Sequence, residues 1–197
     1  MSLTLSTRPT IVDRFVPKSL GADIALVSAG TALTALAAQV SIPMWPVPVT
    51  GQTFAVLLTG AVLGLSRGTL SMALYVLLGS IGLPIFTGGK SGFVFGPTLG
   101  YLVGFIAAAA VIGYFSTRSW DKKWFAVALG LTLGNAVIYA AGLPVLSAFL
   151  GSVGLANDLQ STLSAGLYPF IVGDAIKIAL ASTLLPGAWV MAKKLKG

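Results

Sequence analysis

From Gly21 to Val190 the chain is a succession of long apolar runs, separated by short segments rich in glycine, proline or basic side chains. No water-soluble core of 197 residues can cover that much apolar surface. In a bilayer the same runs are suited to their solvent, provided each satisfies its backbone polar groups internally, which an α-helix does. Only 9% of the residues are charged, against about 25% in soluble domains. The expected class is an all-α integral membrane protein, organised as a single domain over residues 1–197.

The runs predict six transmembrane helices, over residues 21–40, 52–65, 69–83, 98–117, 124–146 and 165–190. The second and third are short. At about 1.5 Å per residue each covers less than a hydrocarbon core of about 30 Å. They meet at Ser66-Arg67-Gly68, which reads as a turn. Between the first two helices, residues 41–51 hold Pro43, Pro46 and Pro48, which forbid a helix. This stretch, with Trp45, is expected to be a stiff loop able to fold over the membrane face as a lid. Residues 84–97 are a second irregular segment, rich in glycine and containing Thr87, Gly88 and Lys90. Residues 147–164 read as a polar loop.

Basic residues give the orientation. With both termini in the cytoplasm, the inner segments hold Arg8, Arg14, Lys18, Arg67, Arg118, Lys122, Lys123, Lys193, Lys194 and Lys196, and the outer loops hold only Lys90. This is the bias expected of cytoplasmic loops. The net charge of +7 is therefore a topology signal, not a nucleic-acid footprint. Residues 1–20 read as a cytoplasmic tail, partly interfacial, with no cleavable signal. The lid-like loop, the glycine-rich loop and the loop before the sixth helix all fall outside.

Against this background the pair Asp174 and Lys177 is conspicuous, because it lies within the sixth apolar run. Three residues are close to one helical turn, so the two side chains share a face, along with Phe170 and Ala181. Charges at bilayer depth are costly and normally face a cavity or a partner in the bundle. Two readings remain: a polar ligand site, or an ion pair that only fixes helix packing. The convergence of three irregular loops on the outer half favours the site. An aspartate accepts hydrogen bonds and a lysine donates them, so the pair suits adjacent N–H and C=O groups such as those of a urea or an amide. Tyr101 and Phe105 share one face of the fourth helix, and Asn135 and Tyr139 one face of the fifth. The aromatics, with Phe170 and Trp45, are candidate walls. Asn135 and Tyr139 serve equally well as interhelical hydrogen-bond partners. Thr87, Gly88 and Lys90, with the neighbouring amides, could hold an anionic end. On the first helix Ala25, Ala29 and Ala32 form a stripe of small residues, suited either to a close intramolecular contact or to docking of another protein.

Several functions are excluded. There is no cysteine and no histidine, which removes thiol and imidazole chemistry and their metal sites. Apart from Asp23 in the first turn of the first helix, the spans hold a single aspartate, Asp174, which argues against an intramembrane aspartyl protease. No nucleotide-binding motif is present, so no energy source is encoded in this chain.

The runs Val47-Pro48-Val49-Thr50-Gly51-Gln52-Thr53, Gly82 to Gly89 and Gly96-Pro97-Thr98-Leu99-Gly100-Tyr101, together with Asp174-Ala175-Ile176-Lys177, resemble the BioY family, biotin-capturing S components of energy-coupling factor (ECF) transporters. The resemblance covers nearly the whole chain from about residue 22. Leu99 stands where the family pattern has a second glycine, and Lys90 where a neutral polar residue is expected. The resemblance implies six helices in a bacterial or archaeal cell membrane, no catalytic activity and no cofactor. It implies biotin as transported ligand, its ureido ring held by Asp174 and Lys177 and covered by the first loop. It also implies docking of the first helix onto a transmembrane coupling protein powered by two ATPase subunits. Whether Lys177 meets the ureido ring or the carboxylate stays open. The alternative is an ion-coupled or facilitative carrier for another small amphipathic vitamin-like molecule.

Overall fold

The computed structural model describes residues 10–92 and 95–194, with the side chains of Asp121 and Lys193 excepted. Arg8 and Lys196, two of the basic residues used for orientation, lie outside the described residues, as do Phe93 and Val94 of the glycine-rich segment.

The architecture is all helical apart from one small hairpin. Helix α1 spans Leu20–Gln39, α2 Gln52–Ser80, α3 Leu99–Thr117, α4 Trp124–Ser152, α5 Leu159–Gly166 and α6 Ile171–Lys194. Strands β1 (Ser41–Ile42) and β2 (Val49–Thr50) pair antiparallel, with Ser41 opposite Thr50 and Ile42 opposite Val49. Among the described residues, five helical stretches are long and apolar enough to cross a membrane: Leu20–Gln39, Gln52–Ser80, Leu99–Thr117, Trp124–Ser152 and Leu159–Ala192.

One of the five doubles back. If α2 were straight, the 23 residues separating Gln52 from Tyr75 would hold them about 35 Å apart. Instead the Gln52 side-chain amide donates to the Tyr75 hydroxyl at 2.7 Å. The reversal occurs at Gly64, whose φ of 80° and ψ of −174° are open to glycine and costly for other residues. The two arms approach closely, because a Cβ on Gly68 would lie 2.9 Å from the Gly60 Cα. The expected turn at Ser66-Arg67-Gly68 is thus corrected to Gly64. The local pattern misleads because the polar residues 66–67 belong to the first turn after the break.

Arg67 also differs from expectation. It is not an exposed loop cation but 1% exposed, at the centre of an ion cluster. Its guanidinium donates to Asp13 at 2.6 Å and, through Nε, to Asp23 at 2.7 Å. Asp23 is fully buried. A buried arginine of this kind is tolerable because its planar fork is fully paired. The cluster draws the segment before α1 onto the bundle, so residues 10–14 are packed rather than a free tail. Ile11 is buried, and the Thr10 methyl sits where a side chain on Gly64 would otherwise go. Burial alone would raise the Asp13 pKa, but hydrogen bonds from the Thr10 backbone and Arg67 outweigh it and hold the carboxyl below 3.8.

Further toward the C-terminus, α4 runs on through Pro144 to Ser152, and residues 159–166 form α5, so the expected polar loop over 147–164 shrinks to residues 153–158. Asp158 starts α5 by accepting from the Ser161 amide at 3.1 Å. The sixth helix begins at Ile171 rather than 165, after a 3-10 turn, Tyr168–Phe170, that contains Pro169. Proline lacks the amide a continuing helix needs and restricts the residue before it.

Two ends of the bundle can be told apart. At one, the Arg67 cluster lies with the α2 reversal, Arg14 and Lys122 sit over the Trp189 ring at 5.1 and 4.6 Å, and Arg118 lies over Tyr114. At the other end are the β1–β2 hairpin, the glycine-rich segment and the start of α6.

Candidate functional site

Because α6 starts at Ile171, Asp174 falls in its first turn, where the helix dipole favours an anion. The pair therefore lies near the start of the helix. Lys177 donates to the Asp174 carboxylate at 3.2 Å, to the Thr53 hydroxyl at 2.8 Å and to the Thr50 carbonyl at 3.0 Å. The Tyr139 hydroxyl, from α4, donates to the other Asp174 oxygen. The Thr53 hydroxyl approaches Asp174 at 3.5 Å. The pair thus joins α6, α4 and the start of α2.

A second set of hydrogen bonds extends from it under the hairpin and the glycine-rich segment. Thr50 and Thr87 both donate to the Gln52 side-chain oxygen, at 3.0 and 2.9 Å. Gln52 in turn donates to Tyr75, which donates to the Ile85 carbonyl at 3.2 Å. Gln52 is 5% exposed, so its amide is held by these partners rather than by water.

Beside this network lies a cavity of about 420 Å³, within the range of small-molecule sites. Lys177, Thr53, Gln52 and Thr87 line its polar side. Tyr101, Phe105, Tyr139, Phe170 and Ile138 form an apolar wall. The Tyr101 and Tyr139 rings meet edge to face at 6.2 Å, and Tyr139 and Phe170 lie 6.5 Å apart. Tyr101 is fixed by donating to the Gly166 carbonyl at 2.9 Å. Close helix contacts set the wall: a Cβ on Gly104 would lie 2.9 Å from the Ile138 Cα, and one on Gly142 would enter the Tyr101 ring. Pro46, Val47 and Pro48 of the hairpin tip, and Lys90 and Ser91 of the glycine-rich segment, line the rim.

The residues singled out in the sequence are thus mostly gathered in one place. Lys177, Phe170, Tyr101, Phe105, Tyr139, Thr87 and Lys90 line the cavity, and Asp174 lies directly behind Lys177 and Tyr139. Three others are not on its wall. Trp45 is 68% exposed, turned outward while Pro46 and Val47 turn in. Gly88 lies beside the lining residue Thr87 but off the wall. Asn135 is buried within the bundle, one turn below Tyr139, with its side-chain oxygen unbonded among the described residues. Thr50, Gln52 and Thr53 were not singled out as site residues. Their signal is the polar run Thr50-Gly51-Gln52-Thr53 at the mouth of an apolar helix. On α1, Ala25, Ala29 and Ala32 are exposed, whereas Asp23, Val27, Gly30, Thr31, Thr34 and Ala38 face the bundle. The small-residue stripe is therefore not an intramolecular contact.

An apolar helical bundle with one end opened into a cavity, floored by a hydrogen-bonded acid–base pair and rimmed by the hairpin tip and by Lys90 and Ser91, defines a membrane protein of the solute-binding class. More narrowly, the chain belongs to the BioY family, whose sequence model matches residues 11–194. It is 42% identical to the biotin transporter BioY of Thermotoga maritima over 81% of this chain and 92% of that protein. It is 39% identical to the biotin transporter BioY of Rhodobacter capsulatus, over 75% and 82% of the two chains. Its fold resembles the crystal structure of an S component for biotin from an ECF-type ABC transporter, with a TM-score of 0.70, 28% identity, and coverage of 83% of this chain and 88% of that one.

Proposed function

We propose that the chain is the biotin-binding S component of an ECF transporter in a prokaryotic cell membrane. It captures biotin from the outer side and carries no catalytic step. The single observation that carries this reading is the paired Asp174 and Lys177 at the base of a cavity of about 420 Å³ with an aromatic wall. Asp174 accepts from a ureido N–H, and Phe170, Tyr101, Phe105 and Tyr139 enclose the fused rings. The hairpin over residues 41–51 serves as the lid. The names borne by its relatives support biotin as the ligand.

The reading includes six spans with both termini in the cytoplasm. It is supported by the reversal of α2, which makes two antiparallel arms of one apolar stretch, and by the gathering of Arg14, Arg67, Arg118 and Lys122 at the end away from the cavity. The exposed Ala25, Ala29 and Ala32 form the face that meets the transmembrane coupling protein, itself driven by two ATPase subunits.

The test is equilibrium binding of biotin by the purified full chain in detergent, without nucleotide and with sodium absent. Tight binding independent of ions is expected. Failure to bind biotin or dethiobiotin would remove the reading, and binding that requires sodium would favour an ion-coupled carrier.

A further inference from the structure

At the end of the bundle away from the cavity, three separate parts of the chain bring two cations to one aromatic ring. Arg14 closes the 3-10 turn Val12–Arg14 ahead of α1, and Lys122 closes the 3-10 turn Trp120–Lys122 between α3 and α4. Trp189 stands in the last two turns of α6. The Arg14 guanidinium lies 5.1 Å from the centre of the Trp189 ring and the Lys122 ammonium 4.6 Å from it. The two charges are therefore within about 10 Å of each other, about one Debye length in 0.1 M salt, and repel with little screening. The negative face of the ring offsets each charge only in part.

Neither cation has a carboxylate partner among the described residues. Asp13 and Asp23, the described acids at this end, are both taken by Arg67, at 2.6 and 2.5 Å. The Arg14 Nε is buried with no hydrogen-bond partner among the described residues. Lys122 is exposed and donates only to the Ser119 hydroxyl, at 3.1 Å. A buried donor on a charged group is costly without an acceptor, and two converging cations call for one that carries negative charge.

The surroundings select the kind of anion. Phe15, next to Arg14, and Trp124 and Phe125, two and three residues beyond Lys122, are each more than half exposed. Exposed aromatic rings beside fixed cations mark the headgroup level of a bilayer. A free phosphate would leave these rings in water. A lipid lays its acyl chains against them while its phosphate meets the cations.

We infer that Arg14 and Lys122, gathered on the Trp189 ring, bind the phosphate of an anionic lipid, which clips together the segment before α1, the turn between α3 and α4, and the end of α6. The inference goes beyond the biotin reading and is independent of what the cavity holds. In the proposed orientation the lipid lies in the cytoplasmic leaflet, whose anionic headgroups attract basic clusters.

The experiment uses the full chain in phosphatidylcholine vesicles containing either brominated phosphatidylglycerol or brominated phosphatidylcholine, and reads quenching of tryptophan fluorescence. Three of the four tryptophans, Trp120, Trp124 and Trp189, lie at this end. At low salt the unaltered protein is expected to prefer phosphatidylglycerol by about tenfold or more, since each basic residue near a membrane surface contributes about fivefold. The preference is expected to shrink as salt is raised. Arg14→Gln combined with Lys122→Gln is expected to reduce it to within about threefold. Lys18→Gln combined with Lys123→Gln, at exposed basic positions of the same end, is expected to retain it. A cooperative thermal transition in phosphatidylcholine alone shows that a variant is folded. If the first double variant lacks one, Lys122→Gln alone, at an exposed position, takes its place and is expected to lose about fivefold. Phosphatidylglycerol, but not inorganic phosphate, is also expected to raise the melting temperature of the unaltered chain in detergent. Equal quenching by the two brominated lipids overturns the inference without any variant. So does an equal loss in both double variants, which marks diffuse charge, or a phosphate effect as large as that of the lipid, which marks a free-anion site.

Discussion

Asp174 and Lys177 illustrate what a residue can disclose on its own. Opposite charges three residues apart in an apolar run require a shared, protected environment, and the 3.2 Å contact supplies it. What the residues do not disclose is how far each is already satisfied. That depends on Thr50, Thr53 and Tyr139, which come from strand β2, helix α2 and helix α4. We expect Asp174→Asn and Lys177→Met each to weaken biotin binding by at least about tenfold, because each removes a charge from the floor proposed to hold the ring. Thermal unfolding of both variants in detergent should remain cooperative. Wild-type affinity in both would place the ligand elsewhere. Asn135 shows the limit of spacing arguments: it shares a helix face with Tyr139, yet lies below the cavity floor with its oxygen unbonded among the described residues.

Among the elements, α1 and α2 hold the main lessons. In α1 the small residues occur on both faces, and sequence periodicity alone leaves open which set packs inward. The structure turns Gly30, Thr31 and Thr34 into the bundle and leaves Ala25, Ala29 and Ala32 outside. Replacing Ala25 and Ala29 together by leucine is therefore expected to leave biotin affinity within about threefold while abolishing uptake driven by the coupling protein and its ATPases. Unchanged transport by that variant would remove the docking role. In α2 the apolar pattern predicts two short helices joined at residues 66–68, and the stretch Gln52–Ser80 breaks at Gly64 instead. Gly64, not the polar Ser66-Arg67-Gly68, takes the backbone conformation that reverses the chain. Arg67 is read as a loop cation because its two partners, Asp13 and Asp23, are 54 and 44 residues away.

At the scale of the whole molecule, the cavity and the basic cluster occupy opposite ends of one bundle, and this sets the proposed direction of capture. The absence of cysteine allows a clean test. In intact cells a membrane-impermeant thiol reagent is expected to label Lys90→Cys, and to label Lys123→Cys only after permeabilisation. The reverse pattern would invert the orientation. The sequence by itself determined that the chain is a helical membrane protein, roughly where its runs begin and end, and that an acid and a base share a face of its last helix. These follow from local rules: the length of an apolar run, the period of a helix, and the exclusion of helix by closely spaced proline. Only the tertiary structure decided that Arg67 is buried, that Trp45 turns away from the cavity, and that the lysine on the floor is met by Thr50, Thr53 and Asp174. Each of these depends on which distant groups arrive within hydrogen-bonding distance, and helix packing, not local sequence, governs that.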